Sequence, residues 1–277
     1  MNLDDVQRMY DFTGLTVMIT GGAGVLGREI TCALLGCNAK VYVVQRDVAK
    51  SEKELQTLPV SREQMRVVQG DVIEPDTMQE AVQKVLKEAG RIDCLVNAAG
   101  GNNPRATTNS SASFFDLPAD ALKYVFDLNL LGTIIPSQIV GKHMAEEKAG
   151  VILNVTSMAG VRPLTRIPAY AAAKAAVSNF TQWLAVHMAQ EYSPSIRVNA
   201  IAPGFFLTKQ NRFLLTDEKT GAFTERGKKI VDHTPMGRFG KPEDLLGTVM
   251  WLLSPMSEFV TGIVVPVDGG FSAYSGV

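Results

Sequence analysis

Short runs of apolar, often β-branched residues recur along the 277-residue chain, separated by longer stretches in which apolar residues return every three or four positions. The runs LTVMIT (15–20), KVYVVQ (40–45), MRVVQG (65–70), CLVNAA (94–99), GVILNVTS (150–157), IRVNAIA (196–202) and GIVVPVD (262–268) predict seven strands. Their apolar residues are contiguous rather than alternating, as in strands covered on both faces. Segments 25–36, 76–89, 119–147 and 168–191 have helical spacing. Regular strand–helix alternation implies a parallel sheet with right-handed crossovers and helices on both faces. No Pro/Gly/Ser linker divides the chain, so the expectation is one α/β domain over 1–277, a doubly wound parallel sheet of about seven strands. The rhythm breaks at 205–240, a mixed, charged, glycine-punctuated stretch that reads as a lid-like insertion.

Composition narrows the function. Hydrophobic residues at 46% and charged residues at 20% exclude wholesale disorder. The balance of 27 Lys+Arg against 28 Asp+Glu argues against a nucleic-acid partner bound through bulk charge. The opening MNLDDVQRMY carries early acids and no apolar core of a signal peptide. No apolar run approaches the ~18 residues of a membrane span. A cytoplasmic protein without a membrane partner is expected. Cys32, Cys37 and Cys94 form no CxxC pair, and no Cys/His cluster has metal-ligand spacing. They are expected as small buried hydrophobes, with no metal.

The first predicted strand runs into TGGAGVLG (20–27), which contains a literal GxGxxG at 22–27. A glycine-rich turn between strand and helix lets backbone approach a pyrophosphate, and the helix N-terminus offers free N–H groups to the anion. In this strand–turn–helix context the motif points to a Rossmann-type dinucleotide site at Gly21, Gly24, Val25, Leu26 and Gly27. An acid normally follows about 20 residues on to hold the ribose hydroxyls. Here the second strand ends Val44, Gln45, Arg46, Asp47. Gln45 has no carboxylate, Arg46 suits the 2′-phosphate of NADP, and Asp47 suits the 2′-hydroxyl of NAD. Local chemistry leans to NADP, and both cofactors stay open. Asp71, followed by Val72 after the third strand, lies where an adenine edge is reached.

Tyr170 and Lys174 stand four apart in PAYAAAKAAV, a strong helix former, so both share one helix face. A free phenol titrates near ~10, and a neighbouring ammonium favours the phenolate, so the pair is a candidate proton donor and acceptor. Ser157 ends the fifth predicted strand, where open α/β sheets place their chemistry, and can hold a substrate oxygen. Asn129, in FDLNLLG, is placed to brace a helix and order a water toward Lys174.

With these motifs in this order, the chain resembles the short-chain dehydrogenase/reductase family over nearly its whole length. The likeness rests on TGGAGVLG, Asp71, Asn97-Ala98-Ala99-Gly100, Asn129, Ser157, Tyr170-xxx-Lys174, Arg197-Val198-Asn199, Pro203-Gly204 with Thr208, Val260-Thr261-Gly262 and Asp268-Gly269-Gly270. One departure stands out: the family pattern TGxxxGxG has glycine where this chain has Val25, with Gly24 just before it. The resemblance implies that Tyr170 is the acid in reduction and the base in oxidation, and that Lys174 lowers its pKa and grips the nicotinamide ribose. It implies that Ser157 orients the reacting oxygen and that Asn129 maintains a proton relay. Asn97, Ala98, Ala99 and Gly100 are expected to line the cofactor, and Pro203, Gly204 and Thr208 to hold its nicotinamide end.

The loops expected at the same rim are polar and cationic: GGNNPRATT (100–108), VRPLTR (161–166) and FFLTKQNR (205–212). Arginine holds carboxylates in a fork and Asn, Gln and Thr suit hydroxyls, so a small polyhydroxylated acid fits better than a lipid or steroid. Arg105, Arg166 and Arg212 are the candidate carboxylate partners. These loops resemble the branch of D-mannonate oxidoreductases (fructuronate reductases), which interconverts D-fructuronate and D-mannonate. That branch is described with NAD, against the Arg46 reading. Gluconate 5-dehydrogenases are near neighbours. A 3-oxoacyl thioester reductase and a non-catalytic dinucleotide sensor are the remaining alternatives. His187 sits too far along its helix to touch the chemistry, whereas His233 lies in the lid-like stretch, within reach of substrate. Trp183 and Met188 read as core or subunit contact, and the resemblance implies a homotetramer.

Overall fold

The computed structural model describes residues 2–207, 215–217 and 220–276. Seven strands, β1 (Thr16–Thr20), β2 (Lys40–Gln45), β3 (Met65–Gln69), β4 (Cys94–Asn97), β5 (Gly150–Val155), β6 (Ile196–Pro203) and β7 (Val264–Val267), form one sheet. All pairs are parallel, in the order β3-β2-β1-β4-β5-β6-β7. Each predicted strand is present to within two residues at either end.

The contiguous apolar runs have the predicted cause. Every residue of β1, β4 and β6 is buried, because helices cover both faces. Val17 and Ile19 face one core with Ile30 and Leu34 of α2 (Val25–Gly36) and Val249 and Leu252 of α9 (Leu246–Leu253). Met18, between them, faces the other core, with Val82 of α4 (Pro75–Ala89), Met144 of α6 (Gly132–Glu147) and Leu184 of α7 (Pro168–Glu191). The architecture is a single-domain, doubly wound α/β sandwich of the Rossmann type, as expected. The remaining helices, α1 (Leu3–Met9), α3 (Val48–Leu55), α5 (Ala119–Phe126) and α8 (Glu225–Asp232), are short.

The helix expected over 119–147 is interrupted. Between α5 and α6 the backbone opens into a π-helical turn, Asp127–Leu131, with Asn129 inside it. Such a wide turn displaces a side chain from the regular helical face and is common at functional sites. In the 205–240 stretch, Leu215, Ile230 and Phe239 form a small apolar cluster against Phe205, Leu207 and Val231.

Register aligns the strand ends. Thr20 pairs with Val44 and Asn97, Asn97 with Asn154, and Asn154 with Ala200. The loops after β1, β4, β5 and β6 therefore emerge on one rim. The strand order reverses between β1 and β4, which is where open α/β sheets form their ligand crevice. No described helix is long and apolar enough to cross a membrane, and no described cluster of His, Cys, Asp or Glu has a metal-binding arrangement. Cys94 is buried, which pushes its thiol up to about 12, whereas Cys32 and Cys37 are only half-buried.

Candidate active site

The glycine-rich turn links β1 to α2. Gly21 adopts φ +68°, and a Cβ there would fall 2.7 Å from the Ala99 nitrogen, so the turn and the β4 loop meet backbone to backbone. A Cβ on Gly27 would lie 2.3 Å from the Gly21 carbonyl oxygen, so the first turn of α2 closes directly onto the loop. Val25, where the family pattern has glycine, is the first residue of α2, with Gly24 as its N-cap. Among the described residues, the N–H groups of Val25, Leu26 and Gly27 have no partner within the chain. They border a cavity of about 450 Å³ whose wall also includes Gly21, Gly24, Ala98, Gly100, Ser157, Tyr170, Lys174, Pro203 and Gly204. A second cavity of about 230 Å³, sharing Gly21, Gly24, Ala98 and Gly100, continues past Ala99 to Gln45, Arg46, Asp71 and Val72. An elongated crevice with open N–H donors at its middle fits a dinucleotide, its pyrophosphate at the α2 N-terminus.

At the adenosine end, Arg46 Nη1 lies 3.9 Å from Asp71 Oδ2 across the cavity, so its charge is partly balanced. Asp71 also accepts the Ile73 N–H, and Thr77 Oγ1 accepts the Asp71 N–H. One expected lining residue is elsewhere. Asn97 is buried at the end of β4 and donates to Ser137 Oγ and Asn154 Oδ1, both at 2.9 Å. Its side chain points away from the crevice into a polar ladder that continues from Asn154 to Thr181. Only Ala98, Ala99 and Gly100 reach the wall.

At the other end, Ser157 follows β5 and caps a 3₁₀ turn (Met158–Gly160), its Oγ accepting the Ala159 N–H at 3.1 Å. A Cβ on Gly160 would lie 2.6 Å from the Lys174 carbonyl carbon, so only glycine lets this turn seat against α7. Tyr170 stands in the first turn of α7, its hydroxyl beside the Ser157 side chain. Lys174, one turn on, is 4% exposed and donates to the Val155 carbonyl at 2.8 Å. Its Nζ lies 5.8 Å from the Tyr170 ring centroid.

In the ligand-free chain the Tyr170 phenol is governed by its burial and by Ser157. Burial dominates and raises the phenol above its ordinary value, and only the Ser157 hydroxyl pulls the other way. Lys174 itself is pushed down to about 8 by burial, its ammonium directed at Val155 rather than at the phenol.

Asn129 is fully buried in the π turn. Its Nδ2 donates to the carbonyls of Gly101 (2.7 Å) and Val125 (2.8 Å), and its Oδ1 accepts the Gly101 N–H (3.2 Å). It thus clamps the β4 loop to α5. A Cβ on Gly100 would fall 2.8 Å from Asn129 Oδ1 and 3.2 Å from Lys174 Nζ, so both groups flank this glycine.

The candidate carboxylate partners separate. Arg105 makes a two-bond pair with Asp120 at 2.8 and 3.1 Å on the exposed surface, so its fork is already occupied. Arg166 has φ +75°, strained for a side chain with a Cβ, and its carbonyl accepts the Thr108 N–H. Arg226, in the first turn of α8, is exposed like Arg166, and its guanidinium is lowered by partial burial and by the Arg166 charge. Neither has an acidic partner among the described residues. Sequence reading missed Arg226, because 60 residues separate it from Arg166. Arg212 and Thr208 lie outside the described residues. His233 does not border the crevice; its Nδ1 is 3.0 Å from the Lys229 carbonyl and its ring faces Tyr274.

A doubly wound sheet with a dinucleotide-shaped crevice at its switch point, and Ser, Tyr and Lys at one end, defines a nicotinamide-dependent oxidoreductase. Residues 21–272 match a short-chain dehydrogenase family model described as enoyl-(acyl carrier protein) reductase. The chain belongs to the short-chain dehydrogenase/reductase family, whose members act on alcohol and keto groups with NAD or NADP. It is 44% identical to an uncharacterized oxidoreductase of Bacillus subtilis (strain 168) over 276 residues, covering 96% of this chain and 98% of that one. It is 31% identical to the 5-keto-D-gluconate 5-reductase of Escherichia coli (strain K12) over 264 residues, 95% of this chain and 97% of that one. Among solved structures it is similar to a Haemophilus influenza protein provisionally assigned as a D-mannonate oxidoreductase, solved with bound NAD. That likeness has a TM-score of 0.88 at 40% identity, covering 98% of this chain and 100% of that one.

Proposed function

We propose that this enzyme reversibly reduces the keto group of a sugar acid with NAD or NADP, D-fructuronate and D-mannonate being the pair. The observation that carries the chemistry is the meeting of Ser157, Tyr170 and Lys174 on one wall of the crevice, next to the open N–H groups of α2. When bound, the nicotinamide supplies or takes up the hydride. Tyr170 Oη donates a proton to the substrate oxygen in reduction and accepts one in oxidation. Ser157 Oγ orients that oxygen. Lys174 Nζ, cationic below about pH 8, favours the phenolate once its bond to Val155 loosens, and holds ribose hydroxyls. Asn129 keeps a second lone pair on Oδ1 beside Lys174, the acceptor for a relay water in this proposal.

For the substrate, the supporting feature is that the Arg166 charge acts on Arg226 and neither has an acidic partner among the described residues, a repulsion that a carboxylate would relieve. The likeness to a protein provisionally assigned as a D-mannonate oxidoreductase points the same way. The likeness to a 5-keto-D-gluconate 5-reductase favours a second reading, with that keto acid as substrate. Of the stretch expected as a lid, Phe205 and Phe206 border the catalytic cavity, which supports that role. The exposed Trp183, stacked on His187 at 4.8 Å along α7, leaves an aromatic face that a subunit contact would cover, in keeping with the homotetramer proposed from the family likeness.

The test is the loss of reduced-nicotinamide absorbance with D-fructuronate, 5-keto-D-gluconate or an acetoacetyl thioester, each offered with NADH and NADPH. Turnover of one of the keto acids with the thioester inert is expected. Preference for the thioester rejects the sugar-acid reading.

A further inference from the structure

Four backbone N–H groups belong to the glycine-rich turn itself. Gly21 N donates to the Val44 carbonyl at 3.3 Å, and Gly24 N to the Gly21 carbonyl at 2.9 Å. The other two, on Gly22 and Ala23, face the end of the Gln45 side chain. Both are donors, so the amide turns its oxygen toward them, and Oε1 accepts from Ala23 at 2.9 Å and from Gly22 at 3.2 Å. Nε2 then points away from the turn.

Gln45 is itself well anchored. It ends β2 in register with Gln69, and its carbonyl accepts the Gly70 N–H at 3.0 Å. Gly22 has little freedom on its inner side: its carbonyl accepts Thr31 Oγ1 at 3.1 Å, and a Cβ there would lie 2.8 Å from Ile19 Cγ2. With all four turn donors engaged, the open donors that α2 presents to the crevice are those of Val25, Leu26 and Gly27, among the described residues.

We propose that Gln45 is a positioning residue: its side-chain carbonyl latches the Gly22–Ala23 turn to the rigid end of β2 and so presets the helix N-terminus for a pyrophosphate. The inference rests on the crevice being the dinucleotide site. It accounts for an amide at a strand end where a ribose-binding carboxylate was sought. A carboxamide oxygen takes the two N–H groups without adding a charge next to the phosphates.

Amide hydrogen exchange on the ligand-free enzyme tests the latch directly, and calorimetric titration with NAD and NADP, without substrate, tests its consequence. The loss of two hydrogen bonds sets the scale. In Gln45→Leu, and in Gln45→Asn whose shorter amide cannot reach, exchange at Gly22 and Ala23 should accelerate about tenfold or more. Both dissociation constants should rise together, by about tenfold. Gln45→Glu, which accepts the same two N–H groups, should restore slow exchange. Unchanged exchange in the Leu and Asn variants overturns the latch, as does Glu exchanging as fast as Leu. If the parent enzyme bound neither dinucleotide, the cofactor site would be misassigned, while the exchange rates would still decide the latch.

Discussion

Lys174 imposes a stability cost that can be measured. Burial pulls its pKa from 10.5 to about 8, which at ~1.4 kcal/mol per unit disfavours the folded, charged form by roughly 3 kcal/mol. Below about pH 8 both folded and unfolded chains carry the proton, so the whole penalty is present. Between about 8 and 10.5 the unfolded chain keeps the proton and the folded chain has lost it, so stability rises with pH across that window. Lys174→Met removes the charge and keeps an unbranched side chain of similar length. It also strips the Val155 carbonyl of its donor, a loss of about 1–2 kcal/mol. The net expectation at about pH 7 is a ligand-free protein more stable by about 1–2 kcal/mol, or a few degrees in Tm for a chain of this size. The advantage should vanish by about pH 10, and the variant should be inactive. Thermal melts of both proteins across that range, without cofactor, are the assay. A variant less stable than the parent at about pH 7, or a gap that ignores pH, refutes the reasoning.

Tyr170→Phe should abolish turnover yet leave dinucleotide binding within about tenfold, because the hydroxyl moves the proton and does not hold the cofactor; titration and steady-state rates separate the two, and retained turnover would remove Tyr170 from the chemistry. Gly27→Ala puts a Cβ 2.3 Å from the Gly21 carbonyl oxygen, so it should cost about 1–3 kcal/mol of stability and sharply weaken NAD binding, read by melting and calorimetry; parental affinity would show that the turn is not as tight as described. Arg226→Gln should raise KM for the keto acid by about tenfold or more with little change in kcat, and spare an uncharged sugar analogue; an equal effect on both would mean that Arg226 does not read a carboxylate.

Much of this enzyme was legible in its sequence, because the informative patterns are local. Strand runs such as KVYVVQ are apolar on both faces because helices cover both sides of the sheet, and the run alone carries that information. The i, i+4 spacing of Tyr170 and Lys174 sets a shared helix face, and glycines at 21, 24 and 27 mark a turn that α2 closes upon. What tertiary structure alone decided concerns partners brought from far along the chain. Asn97 turns into the sheet core because Ser137 and Asn154 meet it there, and Arg105 is neutralised by an acid on α5. Arg226, on α8, comes within reach of the Arg166 charge, and Gln45 reaches across to the turn after β1. Lys174 and Tyr170 shift through burial that no spacing encodes. Periodicity reports which side of an element faces the core; which group waits on that side, and how dry it is, depends on chain folding over long separations.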